Sequence, residues 1–374
     1  MRLLKWLLVA IVCPLVVDAG SNGKLSLFGG VQHCPGVANI WPSYSFPDPL
    51  WKPISKGPAT GNQFPANWYR DDYSFNDFVW NMVGTGKIQA WLGALRPYLD
   101  QNHMNGPCIQ LHYPRVNSIK SQAQLISYLQ ALAPYIPAGT YEIAANEVLG
   151  IKTHQEAGDS LLNALGGPGV TGYDGLIALI KLEREYLPGA LLGLNEDDVC
   201  DWTAGNPPNT YNQQETINVY KILAQNGAAL DWLGCEGYWG NFQPGGGQSV
   251  AKYKAAIDLV GSQLVTAKGT GAPDTIAYTE FTPYGASGDY STQQACWNAF
   301  LTMFAADKYV FGTAGPWAGF RRSNGFSGSN WFYDDTNNGG TNPDEAATNK
   351  GRVSASLTWL QDWVAINVGT TPTP

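Results

Sequence analysis

From about residue 120 to residue 314, short apolar runs alternate with helix-length amphipathic segments, and this alternation limits the fold more than any other feature of the chain. SQAQLISYLQALAPYI (121–136) places Leu125, Tyr128, Leu129 and Leu132 on one helical face, and the strand-like YEIAA (141–145) follows it. Asp174 can cap the helix GLIALIKLEREYL, which stops at Pro188, and ALLGL (190–194) is a continuous apolar strand. The pattern recurs as helix 213–227 and strand 231–235, helix 249–264 and strand 275–279, then helix 291–306 and strand 310–314. A last helix is expected at 351–366. Strands that are apolar on both faces and separated by helices belong to parallel sheets.

The first hundred residues carry fainter signals. KLSLFGGVQ (24–32), a poorly defined strand among 68–82, the helix KIQAWLGALRPYLDQ (87–101) and the strand CIQLHYP (108–114) bring the number of units to eight. The expected fold class is therefore α/β, a (β/α)8 TIM barrel forming one domain over residues 20–368. A doubly wound open sheet is the rival, but no Gly-rich phosphate loop follows any strand. Residues 33–67, rich in Pro, Trp and Tyr, read as a long loop, and GTTPTP at 369–374 as a Thr/Pro-rich tail.

The opening MRLLKWLLVAIVCPLVVDAG has the layout of a secretory signal peptide over residues 1–19. Arg2 and Lys5 lead, an apolar run covers 6–17, and Val17-Asp18-Ala19 supplies the small residues of a cleavage site. The apolar run is short for a bilayer span, so the expected location is extracellular, with the protein secreted. Loss of residues 1–19 takes away two cations and one anion, moving the formal charge from −8 to −9. An acidic chain without a basic patch is poorly suited to nucleic acid or an anionic membrane. Neutral ligands suit it better, and 14 Trp and 19 Tyr offer flat faces for sugar rings. Cys34, Cys108, Cys200, Cys235 and Cys296 would remain, an odd number with no metal-ligand spacing. A Cys200–Cys235 bridge is left open, no metal or cofactor is expected, and the protein is expected to be a monomer.

In a barrel every strand delivers its last residues to one face, where active sites are built. The strand ends here carry Asn146-Glu147, Asn195 followed by three acids, Glu236-Gly237-Tyr238 with Trp239, Glu280, and Trp317 beyond the final strand. Two carboxylates among amides, phenols and indoles are the equipment of glycoside cleavage. One acid protonates the departing oxygen while a carboxylate attacks the anomeric carbon. Asn195 and the acids at 196–198 also suit a solvated loop or a helix cap.

In this order and spacing the segments resemble glycoside hydrolase family 10, the retaining β-1,4-xylanases. EIAANE resembles the family's W-D-V-V-N-E, EYLPGALLGLNEDD its D-P-x-A-x-L-x-x-N-D-Y, and TIAYTEFTP its I-x-I-T-E-L-D-I. LAQNGAALDWLGCEGYW is similar to its G-x-x-I-D-G-I-G-x-Q-x-H, and GTAGPWAG with WFYDD to its terminal V-W-G and L-L-F-D pieces. The resemblance covers roughly residues 120–335 and implies Glu280 as nucleophile and Glu147 as acid/base. It also implies Asn146 as a hydrogen-bond partner of the sugar 2-hydroxyl and Trp317 as an apolar wall below the ring. A polysaccharide partner follows, xylan first and β-glucan or mannan next. A barrel that binds glycan without turnover is the remaining alternative. The sequence departs from the family where Gln-x-His would stand: Glu236 adds a third carboxyl, and Tyr238 replaces the His that steadies the nucleophile. The family's E-N-E-M-K and G-H-T-L-V-W-H segments have no clear counterpart; His112, in IQLHYPR, stands nearest to them. Asn195, Glu236, Tyr238, Trp239 and His112 complete the expected substrate-binding set.

Overall fold

The computed structural model describes residues 26–29, 52–54, 63–65, 68–71, 97, 105–110, 120–146, 148, 160–196, 199, 210–237, 250–267, 275–281, 290–314, 333–334, 352–353 and 362. Eight strands form the sheet: β1 (Ser26–Gly29), β2 (Trp68–Asp71), β3 (Asn105–Gln110), β4 (Tyr141–Asn146), β5 (Leu191–Glu196), β6 (Trp232–Gly237), β7 (Ile276–Phe281) and β8 (Val310–Ala314). Each runs parallel to its neighbours, and β8 pairs back onto β1 to close the barrel. The expected (β/α)8 architecture is present.

The described helices are α1 (Gln122–Leu132), α2 (Ser160–Ala164), α3 (Asp174–Tyr186), α4 (Thr210–Gln225), α5 (Val250–Ala267) and α6 (Tyr290–Ala306). Helix α1 buries Leu125, Tyr128, Leu129 and Leu132, the face its periodicity predicts. Ser121 caps it by accepting the Gln124 N–H at 3.3 Å. Ahead of α3, the Asp174 carboxylate accepts from the Val170 and Thr171 amides and the Thr171 hydroxyl, which holds the chain at the helix entry. After α4 the chain turns at Gly227, whose φ of 72° is open to glycine at little cost.

Three stretches depart from the sequence reading. Strand β3 begins three residues before the expected 108–114 run, and His112 lies outside the described residues. Residues 33–67 contain a parallel ladder of Lys52–Ile54 with Gln63–Pro65. Pro53 and Pro65 lack an N–H, which suits a two-stranded ladder with no central strand. Arg352–Val353 pairs antiparallel with Tyr333–Asp334 rather than starting the last helix, tertiary pairing overriding local propensity; Asp362 is helical. Of the helix expected at 87–101, Pro97 alone is described.

The sheet separates two apolar layers. The outer one lies between strands and helices and takes Ala144, Leu192, Leu194, Leu233, Cys235, Tyr278 and Phe281 from the strands. Cys235 is disulfide-bonded, and its partner is not among the described side chains. Among the described residues the inner layer comprises Tyr141, Ile143, Trp232, Ala277 and Phe311, with Leu191 against them. The rings of Tyr141, Trp232 and Phe311 meet at centroid distances of 5.1–6.1 Å and fill the amino-terminal end of the barrel. Gly193 makes room for this plug, since a Cβ there would come within 2.6 Å of the Trp232 ring. Below the plug, Arg184 of α3 donates to the Ala190 and Ala229 carbonyls, both at 2.9 Å, and pairs with Asp231, whose carboxylate also accepts the Leu192 N–H. One guanidinium thus ties the starts of β5 and β6 to a helix.

Glu142 and Glu183 are fully buried, and neither carboxyl has a hydrogen-bond partner. Burial pushes both proton affinities well above the carboxylate range; Glu183 reinforces the effect on Glu142, while Arg184 opposes it at Glu183. Folded-state values above the unfolded ones mean a stabilising contribution that is complete below the ordinary Glu value of about 4.3 and is lost as pH rises through the folded values. A Glu142→Gln/Glu183→Gln variant should lack this decline. Its melting temperature relative to the native chain should rise as pH climbs above the ordinary Glu value. Parallel curves for the two proteins would show that the two carboxyls are not held protonated by the fold.

Candidate active site

Above the aromatic plug, the inward-facing residues change from apolar to polar. Asn146, Asn195, Glu236 and Thr279 come from four consecutive strands, β4 to β7, and each is at most 2% exposed. Buried polar groups of this kind must satisfy one another. Asn195 does most of this. Its Nδ2 donates to Asn146 Oδ1 at 2.6 Å and to Glu236 Oε1 at 2.9 Å, and its Oδ1 accepts from the Thr279 hydroxyl. The Cys235 carbonyl lies within reach of the same hydroxyl, at 3.3 Å. With both amide hydrogens and the carbonyl occupied, the Asn195 side chain is committed to protein partners.

Two irregularities in the sheet bring these residues level. In β4 the register slips between Ile143 and Ala145, so that Asn146 comes opposite Asn195. Strict alternation from Tyr141 and Ile143 would have turned Asn146 toward the helices; the extra residue turns it inward. In β7 the register slips again: Cys235 pairs with Tyr278, but the next pair is Glu236 with Glu280. Thr279 is the surplus residue. Bulges of this sort re-aim side chains beside functional sites, and here they precede Asn146-Glu147 and Glu280.

Glu280 therefore occupies the register position next to Glu236 at the carboxyl end of the barrel; its backbone is described. Glu147 directly follows Asn146 and lies outside the described residues, as do His112, Tyr238, Trp239 and Trp317. Of the expected set, the structure brings Asn146, Asn195 and Glu236 into direct hydrogen-bond contact. Two contributors were not anticipated. Thr279 lacked any signal, because its role depends on the bulge. Glu196, also fully buried, accepts the Val148 backbone N–H at 3.1 Å; by sequence alone the run of acids after Asn195 suits the barrel mouth as well as a solvated loop or cap. Among the described residues no three His, Cys, Asp or Glu side chains gather as a metal site.

No protein-family profile and no curated protein sequence matches the chain. Solved structures do. A psychrophilic glycoside hydrolase family 10 endo-β-1,4-xylanase superposes with a TM-score of 0.56 at 12% identity, covering 93% of this chain and 99% of the other. Xylanase 10B from Thermotoga maritima gives 0.53 at 11% identity, with 93% and 98% covered. A family 10 xylanase from Bispora sp. MEY-1, solved with xylobiose, gives 0.54 at 14% identity, with 92% and 98% covered. At such identities the likeness is one of fold: the chain has the barrel of these glycoside hydrolases.

The hub leaves no spare room. A Cβ at Gly234 would lie 2.8 Å from Asn195 Oδ1 and 3.0 Å from Thr279 Oγ1. Gly234→Ala should therefore destabilise the fold by about 1–3 kcal/mol through overpacking, and Thr279→Val by about 1–2 kcal/mol through a buried carbonyl left without its donor. Denaturant melts check both, and their double variant should be less than additive because the two changes strike one hydrogen bond. Full additivity would mean the two sites act separately.

Proposed function

We propose that the protein is a secreted retaining glycoside hydrolase acting on a β-1,4-linked polysaccharide, with xylan as the first candidate. The observation that carries this reading is the double bulge. Both strand ends bearing the expected catalytic glutamates are reset in register, next to a buried network that ties β4 to β7. Glu280 attacks the anomeric carbon while Glu147 donates a proton to the departing oxygen; Glu147 then takes a proton from the water that releases the sugar. Retention requires the two carboxyl groups to stand about 5–5.5 Å apart.

Asn146 accepts from Asn195 through Oδ1, which fixes its amide and leaves Nδ2 as the donor end for a sugar 2-hydroxyl. Such a contact strengthens as positive charge develops on the ring. Asn195, expected to touch sugar, acts in this reading from behind, by orienting Asn146 and Glu236. Tyr238 supplies a hydroxyl to Glu280. Trp239, Trp317 and His112 are assigned to sugar contact in this reading.

Purified protein is expected to release reducing sugar from xylan, with β-glucan and mannan as the comparison substrates. Glu280→Gln and Glu147→Gln should each lower turnover by at least about a thousandfold. A 2-deoxy-2-fluoro glycoside should label Glu280 in the native chain. Turnover unchanged in both variants would discard the assignment, and ligand binding without labelling or turnover would make the protein a glycan-binding barrel.

A further inference from the structure

Strand β5 ends in two consecutive side chains that both reach across to the end of β4. Asn195 holds Asn146, the residue before Glu147, and Glu196 holds the backbone N–H of Val148, the residue after it. Consecutive Cα atoms are about 3.8 Å apart, so the two contacts hold the chain one residue before and one residue after position 147. Val148 is itself buried and packs in the outer apolar layer, so the Glu196 contact is not a surface contact. A hydrogen bond from a backbone amide to a carboxylate is stronger than its neutral counterpart, and its loss would leave a buried amide without that partner.

We propose that Glu196 is a positioning residue for Glu147. It acts through the Val148 amide rather than on the glycan, fixing the chain just after the proton donor and so setting where that carboxyl stands. The inference rests on the hydrolase reading above and deepens it by naming what aims the acid. It makes a claim about one step. Proton donation matters most when the leaving group is basic and little when it departs unaided, so misplacing the acid should affect substrates in order of leaving-group basicity.

The test compares phenyl and 2,4-dinitrophenyl β-xylobiosides, or the corresponding glycosides of whichever sugar the polysaccharide panel identifies, on the native chain, Glu196→Ala, Glu196→Gln and Glu147→Ala. Glu196→Ala should lower kcat/KM for the phenyl substrate by about a hundredfold, the scale of a misplacement near 1 Å, and change the dinitrophenyl rate by less than about threefold. Glu196→Gln retains an acceptor oxygen and should recover most of the loss. If Glu196→Ala does not fold, Glu196→Asp, which keeps the carboxyl group and withdraws it by one methylene, takes its place. Equal losses on both substrates, or none on either, while Glu147→Ala keeps its leaving-group dependence, would overturn the role of Glu196 and leave the hydrolase reading intact. A Glu147→Ala variant without leaving-group dependence would remove that reading, and the Glu196 proposal with it.

Discussion

The inside of a closed barrel offers a buried amide no water to fall back on, and Asn195 sits under that constraint. A polar group of this kind is costly when unpaired and rigid when every atom is used. Here one carboxamide spans the inward residues of four strands. The strands must therefore hold a register that lets Asn146, Glu236 and Thr279 meet it together. The hydrogen bonds and the two bulges specify each other: without the slips, Asn146 and Glu280 would be out of step with Asn195 and Glu236.

Much of the architecture was legible because it depends on long, repeated patterns. The buried face of the helix at Gln122–Leu132 followed from a 3.6-residue period, and the strands from β4 to β8 from apolar runs between helices. The candidate site was legible in residue type more than in placement. A strand read by alternation puts each side chain on a face by counting, and one surplus residue reverses the count from there on. Nothing in IAYTEF announces that Thr279 is that residue, and nothing in YEIAAN marks the slip before Asn146. Glu196 was obscured differently: three acids in a row look solvated, yet the first is fully buried and accepts a backbone amide from the neighbouring strand end.

The two faces of the sheet handle acidic groups differently. Toward the helices, the buried Glu142 and Glu183 carboxyls make no hydrogen bond, and burial favours their neutral forms. Toward the barrel axis, Glu236 is as deeply buried but accepts from an amide that is itself held in place. Equal depth thus gives two different environments, and the difference comes from the donors around each group.

The stacked rings of Tyr141, Trp232 and Phe311 have a further consequence. Among the described strands they occupy the amino-terminal end of the barrel, below the buried Asn146, Asn195 and Glu236. From these strands, then, the approach to Asn146, Asn195 and Glu236 is left to the carboxyl end, and whatever arrives there must depart by the same side.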